Sequence, residues 1–212
     1  MATTILLLGR PGSGKTTAAR ILMKQAQEKN LPVVYIDDYE LLQEKFRADT
    51  EHVRFQPLNQ DRERSGFDVI DFKVLDEALT EAGARAKAYT EIIKGGLVIV
   101  EFARDDYQEA LKLFQPDFLR EAYILFFTID VETSIQRVQQ RYLKTGYHLV
   151  SEHILRNYYK DQELSRTIAH LRSTYNLRNP VRICDNTGSW ENFFHQIHHF
   201  CGLLFEQESS IV

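Results

Sequence analysis

The stretch Gly9-Arg10-Pro11-Gly12-Ser13-Gly14-Lys15-Thr16 fits the pattern GxxxxGK followed by Ser or Thr at every required position. An apolar run precedes it and helical periodicity follows it, which is the context that gives the pattern meaning. A glycine-rich loop between a buried strand and a helix turns backbone N–H groups and the helix N-terminus toward an anion. The spelling predicts that Gly9, Pro11, Gly12, Ser13, Gly14, Lys15, Thr16 and Thr17 cradle the phosphates of a nucleoside triphosphate. ATP with Mg2+ is the expected pair, Lys15 reaching the outer phosphates and Thr16 ligating the metal. The bland alternative is an ordinary glycine-rich turn.

Beyond the loop, short runs rich in Ile, Val, Leu and Phe alternate with longer helical stretches, the pattern of a parallel sheet covered on both faces. Strands are expected at residues 4–8, 32–36, 97–101, 122–129 and 181–184. Helices are expected at 15–28, 39–47, 71–94, 106–114, 131–144, 152–175 and 190–205, with Gly95-Gly96 stopping the third. The fold class is therefore α/β: a three-layer P-loop NTPase fold with a five-stranded parallel sheet and a helical lid. Residues 48–68 are polar, hold Pro57 and Gly66 and show no period, so they read as a long surface loop of the kind that binds ligands. One domain over residues 1–212, with 137–160 as lid, accommodates the whole pattern.

Composition narrows the partners. A formal charge of -4 disfavours a chain that coats nucleic acid, since such binding relies on Lys and Arg neutralising phosphates. No apolar run approaches the roughly 20 residues of a membrane-crossing helix, so a soluble, cytoplasmic protein without membrane contact is expected. Cys184 and Cys201 have no CxxC spacing and read as buried small apolar residues. His195, His198 and His199 read as helix-surface residues, and Phe193, Phe194, Phe200 and Phe205 as the packing face of the last helix. The oligomeric state is left open.

In a doubly wound sheet the ligand lies beyond the carboxyl ends of the strands, so acids there face the nucleotide. Asp37 and Asp38 end the second expected strand; Glu101, followed by Arg104, ends the third. A hydroxyl attacking a γ-phosphate needs a carboxylate to orient it and take its proton, a role open to Asp37 or Asp38, with Asp37 preferred. Either aspartate could instead cap the next helix. Glu101 is a candidate to hold a magnesium-bound water or to act as the base, and Arg104 to contact the acceptor.

Residues 137–182 hold nine Lys or Arg against three acids, a local basic excess in an acidic chain. Arg137 and Arg141 lie four apart on one expected helix face, ahead of Lys144-Thr145-Gly146 and a returning segment with Arg156 and Lys160. The arrangement reads as a lid whose arginines close over the phosphates, or as an exposed helical hairpin. Asn186, in Asp185-Asn186-Thr187-Gly188 after the last strand, is placed to approach the adenine from the side, or to form a plain turn.

These segments together resemble the small P-loop kinases that include polynucleotide 5′-hydroxyl kinase domains and zeta-toxin kinases. The cradle, Asp37-Asp38-Tyr39, and Arg141-Tyr142-Leu143-Lys144-Thr145-Gly146 with Ile154-Leu155-Arg156-Asn157-Tyr158-Tyr159-Lys160 carry the resemblance. It implies Asp37 as base and Arg141 as lid arginine. Glu40 stands where the polynucleotide kinases carry an arginine, and Ser151 replaces a proline usual early in the second lid helix. The expectation is an ATP-dependent kinase acting on a hydroxyl or phosphate of a small acceptor such as a metabolite, nucleoside or nucleotide. A nucleic-acid end is possible but not favoured. A slowly hydrolysing, partner-binding NTPase and a degenerate nucleotide binder are the rival readings. Acceptor contacts are expected from the 48–68 loop, including Arg54, Arg62 and Arg64, and from residues 101–107.

Overall fold

A computed structural model describes residues 2–58, 66–146, 148–159 and 164–208. Its centre is a parallel sheet of β1 (Thr3–Leu8), β2 (Val33–Asp37), β5 (Leu97–Phe102), β6 (Tyr123–Thr128) and β7 (Val181–Asp185), in the order β2-β5-β1-β6-β7. These are the five expected strands, each within a residue of its expected ends. The apolar runs are continuous because both sheet faces are buried. Leu6, Leu8, Val98, Val100, Ile124 and Phe126 face one core. Ile5, Leu7, Leu97, Ile99, Leu125 and Phe127 face the other.

α1 (Lys15–Glu28) and α9 (Trp190–Glu208) cover the second core, through Ala18, Leu22, Phe193, Ile197 and Phe200. Phe194 is a correction: it remains 39% exposed against Trp190 and Phe193, because it follows Phe193 by one position and so points about 100° away. His195, His198 and His199 lie exposed on this helix. Both cysteines are buried and unbonded. α2 (Asp38–Ala48) and α3 (Lys73–Ile92) cover the first core, joined by α4 (Tyr107–Leu111) and α5 (Pro116–Glu121). α5 is a short helix opened by Pro116 that no periodicity announces.

Two further differences bear on the site. Within the expected loop at 48–68, β3 (Phe55–Pro57) and β4 (Phe67–Val69) pair antiparallel. Asp49 accepts from the backbone N–H groups of Val53, Arg54 and Phe55, fixing the entry, while Phe55 and Phe67 are buried. Three-residue strands are too short to show a period. Arg54 pairs with Asp71 and Glu77, whereas Arg62 and Arg64 lie outside the described residues. The helix expected at 152–175 is divided into α7 (Glu152–Asn157) and α8 (Leu164–Tyr175), and Lys160 lies outside the described residues.

α6 (Val131–Thr145) is capped by Asp130 and ended by Gly146 in the left-handed region. With α7 it shares a small separate core of Ile135, Val138 and Leu155. Among the described residues no helix is long and apolar enough to cross a membrane.

Candidate active site

Sheet register assembles the acidic side of the site. Leu7 of β1 lies opposite Glu101 of β5, and Glu101 lies opposite Asp37 of β2, so three strand ends share one row at the carboxyl edge. Tyr35, Asp37, Ile99 and Glu101 have the same parity, and Ile99 packs toward α1. The two carboxylates therefore reach the face where α1 begins.

Gly9 to Gly14 link β1 to α1 beside that row. Gly12 and Gly14 hold φ of 76° and 101°, where a side chain is strained. A Cβ on Gly14 would also lie 2.6 Å from Asn186 Nδ2. The loop is braced from outside: Ser134 Oγ of α6 donates to Pro11 O over 2.6 Å, and Asn186 Nδ2 donates to Ser13 O over 2.8 Å. Asn186 is thus turned inward beneath the loop, at 1% exposure. Its own backbone N–H bonds Thr128 O, which fixes that direction.

Lys15 is buried, its Nζ donating to Gly9 O at 2.7 Å and Arg10 O at 3.2 Å, with Glu101 Oε1 at 3.8 Å. Burial lowers its pKa against the pull of Glu101, Asp38 and Asp37. Thr16 Oγ1 donates to Glu101 Oε1 over 2.9 Å. The Tyr35 hydroxyl donates to Glu101 Oε2 over 2.6 Å, with Asp37 Oδ2 farther off at 3.4 Å. Burial, then the charges of Glu101 and Asp38, pushes the Asp37 carboxyl well above the ordinary carboxylate range. Asp37 Oδ1 also caps α2 by accepting from Tyr39 N at 3.0 Å, so capping and exposure to the site coexist in one residue.

Asp38 has a different place. Its Oδ2 meets Arg104 Nη1 at 2.5 Å, both side chains almost wholly buried. Arg104 also donates to Ala103 O and, very closely, to Leu75 O. The guanidinium is therefore anchored at the base of the site by fixed acceptors.

The roof is one face of α6. Arg137, Gln140, Arg141 and Lys144 line a cavity of about 400 Å³ over the glycine loop, together with Trp190. Arg137 lies 5.5 Å over the Trp190 ring and donates to Asn186 O, while Arg141 donates to His148 O at 2.7 Å. A second cavity adjoins the first, and Pro11, Lys15, Asp37, Glu101 and His148 belong to both.

The donor set fits a polyphosphate. Ser13 Oγ and Arg137 Nη1 are buried with no hydrogen-bond partner among the described residues, and both adjoin the loop. Among the described residues no three His, Cys, Asp or Glu side chains could together hold a metal. Mg2+ suits such a site, since it takes most ligands from phosphate and water and needs one or two from the protein. Thr16 and Glu101 are the pair present.

Comparison with solved structures decides the architecture. The APS kinase of Mycobacterium tuberculosis, solved with AMPPNP and APS, superposes with a TM-score of 0.54 at 16% identity, covering 96% of this chain and 97% of that one. A Chloroflexus aurantiacus protein provisionally described as a kinase gives 0.51 at 14% identity, covering 100% and 98%. The fold is that of the P-loop kinases. A family model described as Novel STAND NTPase 3 matches residues 2–56, from β1 into β3. No curated protein matches the sequence.

Tyr35, Ser134, His148 and Trp190 are site residues that sequence reasoning missed, while Tyr39 entered it only as the third member of the Asp37-Asp38-Tyr39 run. Only Tyr35 left a usable signal, since it precedes Asp37 by two on the same strand and must share its face.

Proposed function

We propose that the protein is a cytoplasmic ATP-dependent kinase that moves the γ-phosphate to a hydroxyl of a small acceptor. The carrying observation is the shared wall: Lys15, Asp37 and Glu101 border both the cavity over the glycine loop and the cavity beside it. Phosphates on one side and an acceptor on the other would meet at those residues, which is the positioning that phosphoryl transfer requires.

In this reading Asp37 accepts the acceptor's proton as the new O–P bond forms and the bond between the γ-phosphorus and the β,γ-bridging oxygen breaks. Its raised pKa makes it a stronger proton acceptor than an ordinary aspartate. Lys15 and the arginines of α6 face the equatorial and leaving oxygens. Thr16 and Glu101 would hold Mg2+, which would supply positive charge to offset that of the phosphates. Asp38 fixes Arg104, and Asn186 and Ser134 hold the loop in shape. The Asp37-Asp38-Tyr39 run and Arg141 support placement near the polynucleotide-kinase and zeta-toxin group, with Glu40 favouring a small acceptor over a nucleic-acid end.

The test is transfer of label from γ-labelled ATP with magnesium over nucleosides, nucleotides, sugars, amino alcohols and DNA or RNA ends. Transfer abolished by both Lys15→Ala and Asp37→Asn supports the kinase. Release of labelled inorganic phosphate with no labelled acceptor, unchanged by Asp37→Asn, favours a second reading as a partner-dependent NTPase, for which the family match over residues 2–56 speaks.

A further inference from the structure

The cavity on the acceptor side of Asp37 has aromatic walls and an acidic lining. Tyr39, Phe67 and Tyr159 contribute rings. Tyr39 stacks parallel on Phe67 with centroids 5.4 Å apart, and Phe67 stacks on Phe46 at 4.8 Å. The imidazole of His148 lies on Tyr39 at a centroid distance of 3.4 Å and 22° between planes. His148 belongs to the connection between α6 and α7, to no helix or strand, and sits at φ 61°, a conformation uncommon for any residue but glycine. Burial, with Arg141 and Lys15 nearby, keeps the ring uncharged.

The free volume there is about 60 Å³, against about 300 Å³ or more for ordinary ligand pockets. An acceptor must therefore displace part of the lining. The strands and α2 are fixed by the sheet and both cores, whereas His148 lies outside every helix and strand, its contacts including the stack on Tyr39 and Arg141 on its carbonyl. Arg141 also lines the phosphate cavity, so a nucleotide there offers it a stronger partner than a carbonyl.

Charge restricts the acceptor further. Asp37, Asp38, Asp68 and Glu101 line the cavity with Lys15 and Arg104. Arg104 is committed to Asp38, and Lys15 faces the phosphate cavity as well. The four acids outnumber the two bases, so the lining disfavours an anionic acceptor relative to a neutral or cationic one.

We infer that the acceptor is a nucleoside-like molecule, a hydroxyl carried by an uncharged or cationic planar heterocycle, whose ring takes the place of the His148 imidazole on Tyr39 while its hydroxyl reaches Asp37. This rests on the kinase reading above. Asp68 stands in the same cavity to receive a ring or amino N–H.

The test uses the full chain. Calorimetry with AMP-PNP and magnesium would measure binding of adenosine, cytidine, guanosine and uridine, their 5′-monophosphates, and glycerol and glucose. Labelled transfer from ATP would be measured in parallel, and a melting curve would confirm that each variant folds. At least one nucleoside is expected to bind and accept phosphate, with its monophosphate and the polyols far weaker. Tyr39→Leu should weaken nucleoside binding roughly tenfold, the scale of one base–aromatic stack, with Tyr39→Phe restoring it. His148→Ala, which removes the competing ring, should tighten it. Failure of every nucleoside to bind overturns the inference. So does transfer to a polyol or a monophosphate with an affinity that Tyr39→Leu leaves unchanged, an outcome that keeps the kinase reading. Nucleoside binding without any transfer sinks the kinase reading and retains the stacking site.

Discussion

Thr16 and Glu101 meet where α1 starts and β5 ends, the threonine hydroxyl donating to the glutamate Oε1 over 2.9 Å. Each is anchored by a different core element, so the pair is set by the packing of α1 on the sheet. If Thr16 and Glu101 hold Mg2+, Glu101→Gln removes the charge and keeps the shape. Transfer should then need much more magnesium and fall on the order of 10²-fold at fixed magnesium. Trp190 is the only tryptophan and lines the phosphate cavity, so its fluorescence reports nucleotide binding directly. Binding of magnesium-free ATP should change little. An unaltered magnesium titration would remove Glu101 from the metal site.

Asp37 links pH, stability and activity. Its folded pKa is raised, so the native state holds a proton that the unfolded chain has released; stability is full below the unfolded pKa near 4 and is lost as pH rises through the higher folded value. At neutral pH the carboxylate therefore burdens the nucleotide-free protein. Asn at 37 removes that charge and can still cap α2. Asp37→Asn should raise the melting temperature at pH 7, by about 2–4 °C for each kcal/mol relieved in a chain of this size, while transfer disappears. Wild-type transfer should climb with pH through a value above the usual carboxylate range. A melting point that drops in Asp37→Asn would contradict the raised pKa.

How much of this was legible in sequence follows from the range of each signal. The five strands read correctly because a run such as Leu97–Phe102, buried on both faces, is apolar at every position save Glu101, and that exception marks the site. The glycine loop lies between β1 and α1, as its flanking patterns lead one to expect, because that context is local in the sequence. The β3–β4 hairpin depends on Asp49 gathering three backbone N–H groups, which no period records. The bond from Asn186 to Ser13 O joins the turn after β7 to the glycine loop across 173 positions, and no local pattern records it. His148 stacks on a ring more than a hundred positions away, so nothing in its neighbours could announce it.

Asp38 and Arg104 form an ion pair with 7% and 3% of their side chains exposed. Removing one partner strands the other charge in a dry site, a loss typically of about 3–5 kcal/mol. Asp38→Ala and Arg104→Ala should each lower stability by that order in denaturant unfolding. Replacing both together should cost less than the sum of the two, since neither buried charge is then left alone. Additive losses would mean that the pair is not the unit holding the base of the acceptor cavity.

Asn186 discriminates between reading a base and bracing a loop. Its amide supports Ser13 O from beneath, and Asn186→Ala leaves that carbonyl without its partner, a penalty of about 1–3 kcal/mol for a buried group. If the loop carries the phosphates and not the base, the variant should weaken ATP and GTP by the same factor, measured through Trp190 fluorescence. Gly14→Ala should have the same unselective effect, because its Cβ would press on the same amide at 2.6 Å from a backbone at φ 101°. If Asn186→Ala weakened ATP while leaving GTP untouched, the residue would have to reach the adenine, and the brace would be incidental.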